Sequence, residues 1–470
     1  MRAAHHRIGA QVDGIALVPI LHLGEARPEI CPRPAKPKPL IAKTESIASC
    51  WSTRKWSEIR GTFLRAQLGM RAAPPLIALA CVAPRPHIAR VDFELTEEQR
   101  LVRETARDFA KREVEPKAAE LDKASRWPTE IVAQMAELGF LGVAIPEAHG
   151  GAGLDAVTYA LVIEELSRAC ASCGVIASVN NSRFCDPLEK FGTDAQKAEI
   201  LTKTARGEWL GAFGLTEPAS GSDARTMLTA AEKTGDGWTL NGSKNYITCG
   251  PHAEHVVVFA STTRDDVKPR HTAFLVRKGT PGFAVGHHDE KMGIHAAHSC
   301  TIYLENVKLG ADAVLGPVGD GFKVAMHTLD GGRIGIAAQA VGIAQAAFDK
   351  AVAYAKERKS FGGPIANLQA IQFMIADMAV DIDAARLLTL RAASMKDRGV
   401  RHTAESAMAK LFASETASRV ANKALQVFGG AGYIVEYGVE RHVRDARITE
   451  IYEGTSEIQR IVVAASMLRG

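Results

Sequence analysis

At 470 residues the chain exceeds what one core holds, since single cores stop growing at about 250 to 300 residues, so two or three domains are expected. No apolar run approaches the roughly 18 to 20 residues of a membrane helix, which excludes a helical membrane protein. The net charge of +4 is unevenly placed: residues 1–90 hold 14 Lys and Arg against 5 Asp and Glu, so the remainder is mildly acidic and lacks a nucleic-acid binder's footprint.

Residues 1–90 also carry 10 of the 20 prolines, including Pro32, Pro34, Pro37 and Pro39, and show no sustained period. They read as a disordered or non-native extension. Their basic, acid-poor character suits a transit segment, but the prolines interrupt any long amphipathic helix. The eight cysteines are scattered and form no disulfide framework, so a reducing compartment is expected. The pair Cys170 and Cys173 lacks partners at zinc spacing and is expected to pack beside a helix.

From Val91 the pattern turns helical. Thr96 and Gln99 form a capping-box signature, and Leu101, Val102, Thr105, Phe109 and Val114 recur at roughly helical spacing. Pro128 to Leu138 and Ala156 to Ser167 read as further helices, giving an α-helical domain over 91–208. Residues 209–321 shift to short runs rich in Val, Phe, Thr and Tyr: Trp238 to Leu240, His255 to Ala260, Thr272 to Val276 and Cys300 to Leu304. Asp236-Gly237, Asn241-Gly242 and Pro281-Gly282 punctuate them as turns, so a β domain is expected. Residues 322–470 return to helices at Ile334 to Arg358, Leu368 to Arg398 and Thr403 to Phe428, with a shorter one at the C-terminus, which is enough for a four-helix bundle. The fold class is α+β, in the order α, β, α.

No strand is followed by G-x-G-x-x-G, which argues against a Rossmann nicotinamide enzyme. Three segments stand out instead: the loop Phe213 to Asp223, the run Asn241 to Thr248, and Asp445 to Arg460, which sets Glu453 beside Gly454 and Thr455. Each alone reads as a surface turn. In this order and spacing, together with Met326 to Gln339, Glu357 to Pro364 and Gln426 to Gly432, they resemble the acyl-CoA dehydrogenase family over about 91–470. Gly151 to Asp155 and Val179 to Ser182 resemble its short-chain, butyryl subgroup.

The resemblance implies α,β-dehydrogenation of a short acyl-CoA to the trans-2-enoyl-CoA, with electrons passed to electron-transfer flavoprotein. It also implies an FAD and a homotetramer, a dimer of dimers. Glu453 takes the role of catalytic base. FAD contacts fall on Phe213, Leu215, Thr216, Gly221, Ser222, Tyr246, Ile247, Thr248, Thr455, Ser456 and Glu457. A neighbouring subunit's share falls on Arg358, Gln369, Gln426, Val427, Phe428, Gly429 and Gly430, and Phe361 is a further FAD contact. Acyl-CoA contacts fall on Ser222, Asp330, Gly331, Gly332, Arg333 and Gly454. Some relatives place the base before the arginine on the preceding helix, where this chain has Gly332. The location implied is cytoplasmic in a bacterium or the mitochondrial matrix otherwise, with no membrane or nucleic-acid partner.

The chemistry gives Glu453 its reason. A thioester α-proton is weakly acidic, and a carboxylate in a site from which substrate expels water gains proton affinity. Glu450, Glu457 and Asp445 read as a solvated or ion-paired helix face. His287, His288, His295 and His298 read as ordinary loop residues and not as metal ligands. The run Gly293 to Ser299 departs from the family's usual pattern, which leaves that loop's contacts open. Two rival readings remain: an acyl-CoA oxidase, disfavoured because the chain stops about ten residues after the last signature, and a silent helical scaffold, disfavoured by Glu453.

Overall fold

The computed structural model describes residues 94–263 and 270–469. The extension expected at 1–90 lies outside the described residues.

The helical N-terminal part opens with α1 (Glu97–Phe109), closed by the expected capping box, in which Thr96 Oγ1 accepts from Gln99 N at 3.1 Å and Gln99 Oε1 accepts from Thr96 N at 3.0 Å. It continues through α2 (Ala118–Ala124), α3 (Thr129–Glu137), α4 (Ala156–Ala169), α5 (Ala171–Ser178) and α6 (Asp186–Phe191). In α4 every residue but Arg168 is buried, because this helix packs against the C-terminal bundle. Its two buried carboxylates are matched by arginines: Glu164 by Arg386 at 2.9 Å and Glu165 by Arg103 at 2.9 Å and Arg107 at 2.6 Å. Between α5 and α6 the chain widens into a π-helical turn, Val179–Cys185.

The β part is one eight-stranded sheet. It comprises β1 (Gly211–Gly214), β2 (Ala230–Thr234), β3 (Gly237–Thr248), β4 (His255–Thr263), β5 (Arg270–Arg277), β6 (Phe283–His288), β7 (Ser299–Leu309) and β8 (Val314–Leu315), in the order β6-β7-β3-β2-β4-β5-β8 with β1 parallel to β4. The Val256–Ala260 and Ala273–Val276 runs are wholly buried, so β4 and β5 form its apolar centre.

The sequence underestimates several elements. Asn241-Gly242 is not a turn but an irregularity inside β3. Gly242 is pressed on Thr229, where a Cβ would fall 2.5 Å from Oγ1, and Asn241 Oδ1 accepts from Asn306 N at 2.8 Å. Phe213 and Gly214, read as loop, close β1.

The C-terminal part contains α7 (Gly321–Glu357), α8 (Gln369–Asp397), α9 (Thr403–Phe428), α10 (Glu440–Thr449) and α11 (Ser456–Arg469), so two short helices follow the three long ones. Helix α7 starts 13 residues before its expected start at Ile334. The pair Gly331-Gly332 argues locally against a helix, and burial of both against neighbouring side chains overrides that preference.

Candidate active site

Glu453 lies in the short link between α10 and α11. Its backbone is left-handed, at φ +57°, and Gly454 follows at +90°. A non-glycine residue held there costs on the order of 1 to 3 kcal/mol and persists only where its surroundings impose it. Here Gln459 Nε2 donates to Glu453 O at 3.1 Å and to Gly454 O at 2.8 Å, and Lys410 Nζ, from α9, donates to Gly454 O at 2.7 Å. Both side chains are fully buried, and burial pulls the Lys410 pKa down to about 7. Tyr452 is tied by its hydroxyl to Gln339 on α7. The link is therefore gripped from three helices.

The Glu453 side chain is only 10% exposed and meets Arg183, itself 4% exposed, on the π-helical turn. Arg183 Nε donates to Glu453 Oε1 at 2.5 Å, and Nη2 faces Oε2. Burial, followed by the nearby Arg333 charge, works against the Arg183 cation, and Glu453 is the counter-charge in contact with it. The guanidinium also lies 5.2 Å from the centre of the Phe213 ring. Gly332 forms the floor beneath the pair. One turn around it, Arg333 Nη1 pairs with Asp330 Oδ1 at 2.6 Å, and Thr403 Oγ1 donates to Asp330 Oδ2 at 2.6 Å. Gly331 faces Lys396, which donates to Asp186 at 2.5 Å. The structure thus gathers Glu453, Gly454, Gly332 and Asp330–Arg333, which the sequence singled out, around an arginine that it did not.

The loop after β1 carries Leu215, Thr216, Gly221 and Ser222. A buried ion pair pins it to the sheet: Lys244 Nζ donates to Glu217 Oε1 at 2.6 Å and to Leu215 O at 3.2 Å, while Glu217 also accepts from Leu228 N at 2.5 Å and Thr229 N at 3.0 Å. Burial opposes the Glu217 carboxylate, yet Lys244 holds its pKa below the usual value. Asn245 N donates to Thr216 O at 2.8 Å, which sets Tyr246, Ile247 and Thr248 beside that loop. At Lys244–Ile247 the pairing of β3 with β7 shifts register, Tyr246 turns to φ +61°, and its ring is 69% exposed.

Asn245 Oδ1, beside that loop, and Ser456 Oγ, at the start of α11, are buried without a hydrogen-bond partner. A bulge with freed backbone, an uncovered aromatic and orphaned acceptors together suit a flat heteroaromatic group with polar edges. Ser222 and Gly221 are exposed, Ile247 is core, Thr455 is half-buried, and Glu457 stands exposed in the first turn of α11.

Arg358, Phe361, Gln369 and Gln426–Gly430 form a second group at one end of the bundle. Tyr354, one turn before Arg358, stacks on Phe428 with centroids 4.1 Å apart, which joins the end of α7 to the end of α9. Ile365 N donates to Arg358 O at 2.8 Å and closes the small hairpin that carries Phe361, whose ring is 90% exposed at φ +50°. Arg358, Gln369, Gln426, Gly429 and Gly430 are exposed, while Val427 and Phe428 are buried and hold the group's base.

The 293–299 loop docks onto α2 and α10. His295 binds Asp122 O at 3.0 Å and Lys291 O at 2.7 Å, His298 binds Ser125 O at 2.8 Å and His252 at 3.0 Å, and Asp445 accepts from Ile294 N at 2.6 Å. Asp445 is thus buried and not on a solvated face, which corrects that expectation: the loop's backbone needs an acceptor there. Burial raises its pKa to about 6. Glu450 is ion-paired with Arg447. A groove of about 1000 Å³ lined by Arg107, Asp122, Lys350 and His442 contains none of the residues named above for the site.

Of the residues that sequence reasoning missed, Arg183 had a signal: it is the first charge after a run of uncharged residues from Ala171 that the fold buries entirely. Glu217, Lys244 and Lys410 had none, since their partners lie 27 and 44 residues away. In the subgroup-like run, Asn180 ties the helical part to the sheet, with Gly211 N donating to its Oδ1 at 3.0 Å, and Asn181 ties it to the turn after α3, with Val143 N donating to its Oδ1 at 2.7 Å.

Comparison with known proteins matches residues 96–208 to the acyl-CoA dehydrogenase N-terminal domain, 212–307 to its middle domain and 319–468 to its C-terminal domain. The short-chain specific acyl-CoA dehydrogenase of Rattus norvegicus mitochondria is 50% identical over 385 residues, covering 82% of this chain and 93% of the rat protein. The short-chain specific acyl-CoA dehydrogenase of Clostridium acetobutylicum is 45% identical, covering 81% of this chain and all of that one. The structure of butyryl-CoA dehydrogenase from Megasphaera elsdenii superposes with a TM-score of 0.79 at 44% identity, covering 80% of this chain and 100% of that one.

Proposed function

The chain belongs to the acyl-CoA dehydrogenase family, and on that premise we propose that it oxidises a short-chain acyl-CoA to the trans-2-enoyl-CoA with Glu453 as the base. It is an acyl-CoA dehydrogenase, and proteins of this family are FAD flavoproteins. The observation that carries the residue assignment is the gripped, left-handed link that holds the Glu453 side chain nearly buried beside Gly332 and the Asp330–Arg333 turn.

Phe213, Leu215, Thr216, Gly221, Ser222 and Tyr246–Thr248 would hold the flavin end of FAD, with Thr455, Ser456 and Glu457 completing that side. Bound FAD supplies the acceptor for the β-hydride. Glu453 Oε1 or Oε2 would take the α-proton, and its backbone N–H would donate to the thioester oxygen, where a fixed donor stabilises developing charge. Ser222, Arg333 with Asp330, Gly331, Gly332 and Gly454 would contact the acyl-CoA. The exposed Arg358, Phe361, Gln369 and Gln426–Gly430 group fits the adenine and pyrophosphate half of an FAD seated in a second copy, within a homotetramer. Electron-transfer flavoprotein is the proposed acceptor, and 91–208, 209–321 and 322–470 are the proposed domains.

Among described residues, no helix is long and apolar enough to cross a membrane. Close relatives include mitochondrial and bacterial proteins, so both the matrix and the bacterial cytoplasm remain in the proposal. A panel of acyl-CoAs from four to sixteen carbons with a dye acceptor tests the reading. Turnover should peak at the short end, and a peak at eight carbons or above sinks the short-chain assignment.

A further inference from the structure

Arg183 is more than the counter-ion of Glu453. A guanidinium presents five N–H donors along two edges, each able to take a carboxylate in bidentate fashion. Glu453 occupies the edge made by Nε and Nη2. Nη1 is buried and has no hydrogen-bond partner. An unsatisfied buried donor on a charged group is costly, and a guanidinium serving packing alone has no reason to retain one. The position of the group is as telling as its valence: it touches the Glu453 carboxylate and lies 5.2 Å from the centre of the Phe213 ring, close to both the proposed base and the proposed flavin loop. The α-carbon of the proposed substrate must come within reach of that carboxylate, and so near the guanidinium.

Charge accounting leads to the same place. When Glu453 takes up a proton it becomes neutral, and Arg183, 4% exposed, then loses the only carboxylate paired with it among the described residues. An apolar acyl chain makes that step worse, since it seals a cation against hydrocarbon. An acyl chain bearing its own anion removes the conflict by balancing Arg183 through the free Nη1 edge and leaving Glu453 to the proton.

We propose that Arg183 is a specificity-determining residue that anchors a second carboxylate, so that the pocket takes a short acyl-CoA whose distal end is a carboxylate. The proposal deepens the short-chain reading and rests on Glu453 as base. Because the guanidinium touches Glu453, the anchored carboxylate falls within a few bonds of the α-carbon, which fits a diacid chain of about four or five carbons. The oxidation is the one proposed above, and the second carboxylate is neither made nor lost in it.

The test uses the full-length, FAD-loaded protein with glutaryl-CoA, succinyl-CoA and butyryl-CoA. The wild type should favour a carboxylated thioester over butyryl-CoA in kcat/KM by about tenfold or more, and Arg183→Leu should reverse the preference by about 100-fold with flavin content unchanged. Binding to Glu453→Gln, read by titration calorimetry, separates the two readings, because it involves no proton transfer. There the carboxylated thioesters should still bind at least tenfold tighter than butyryl-CoA, while turnover of any substrate by that variant tests the base alone. A wild type that prefers butyryl-CoA to both carboxylated thioesters overturns the proposal, whether or not Arg183→Leu folds. So does an Arg183→Leu protein that keeps the wild-type preference.

Discussion

A Cβ on Gly332 would fall 2.5 Å from Glu453 Oε2, and 2.7 Å from Cζ of the arginine paired with it. The smallest side chain therefore cannot enter without moving the proposed base. Gly332→Ala should leave the helix at least as favourable locally, since alanine is the better helix former, yet lower kcat by about 10- to 100-fold through displaced geometry. Stopped-flow flavin reduction measures this directly. An unchanged rate would mean that the Glu453 position is not tied to the chemistry.

Glu453→Gln keeps size and hydrogen-bonding reach but removes the base. The variant should retain FAD and bind acyl-CoA while turnover falls by about 100- to 10,000-fold. Reduction of its flavin by substrate at the wild-type rate would refute the assignment.

Arg358 is exposed at the end of α7, in a group proposed to serve a neighbouring subunit's cofactor. An arginine fork suits a pyrophosphate, whereas an ordinary helix-end arginine contributes under about 1 kcal/mol and leaves cofactor binding alone. Arg358→Ala should shed FAD on dilution and regain activity when FAD is added. Full flavin occupancy at nanomolar protein would leave the helix-end role standing.

Asp445 supplies a pH test. Its folded pKa is raised from 3.8 to about 6 by burial, so the folded state favours the protonated form. That contribution to stability is fully present below about 3.8 and is lost as pH rises through about 6. Asp445→Asn has no such loss, so its melting temperature should gain on the wild type between pH 4 and 6.5, by an amount equivalent to about 1 to 3 kcal/mol, and hold that gain above. Parallel curves would show that Asp445 does not titrate there.

The order α, β, α and the long helices were legible because period and turn residues are local signals. Thr403–Phe428 coincides with its expectation for that reason. What was illegible depends on distant partners. The first 13 residues of α7 include Gly331 and Gly332, which only close approach to Lys396, Glu453 and Arg183 explains. Strand β2, with three of its five residues exposed, exists through its pairing with β3. In the site, resemblance picked out Glu453 and its neighbours, but Arg183 arrives from a turn 270 residues away, and no local pattern relates the two.

The left-handed backbone at Glu453 also sets a conflict between durability and purpose. At φ +57° glycine is relaxed and glutamate is not, so the substitution that most eases the fold at this position also deletes the proposed base. A selection for heat resistance alone, with no demand on turnover, should therefore favour Gly at 453. That exchange would also strand the Arg183 cation, so a compensating change at 183 should follow it. Stability and catalysis pull in opposite directions at one residue, and only a demand for activity keeps the strained glutamate in place.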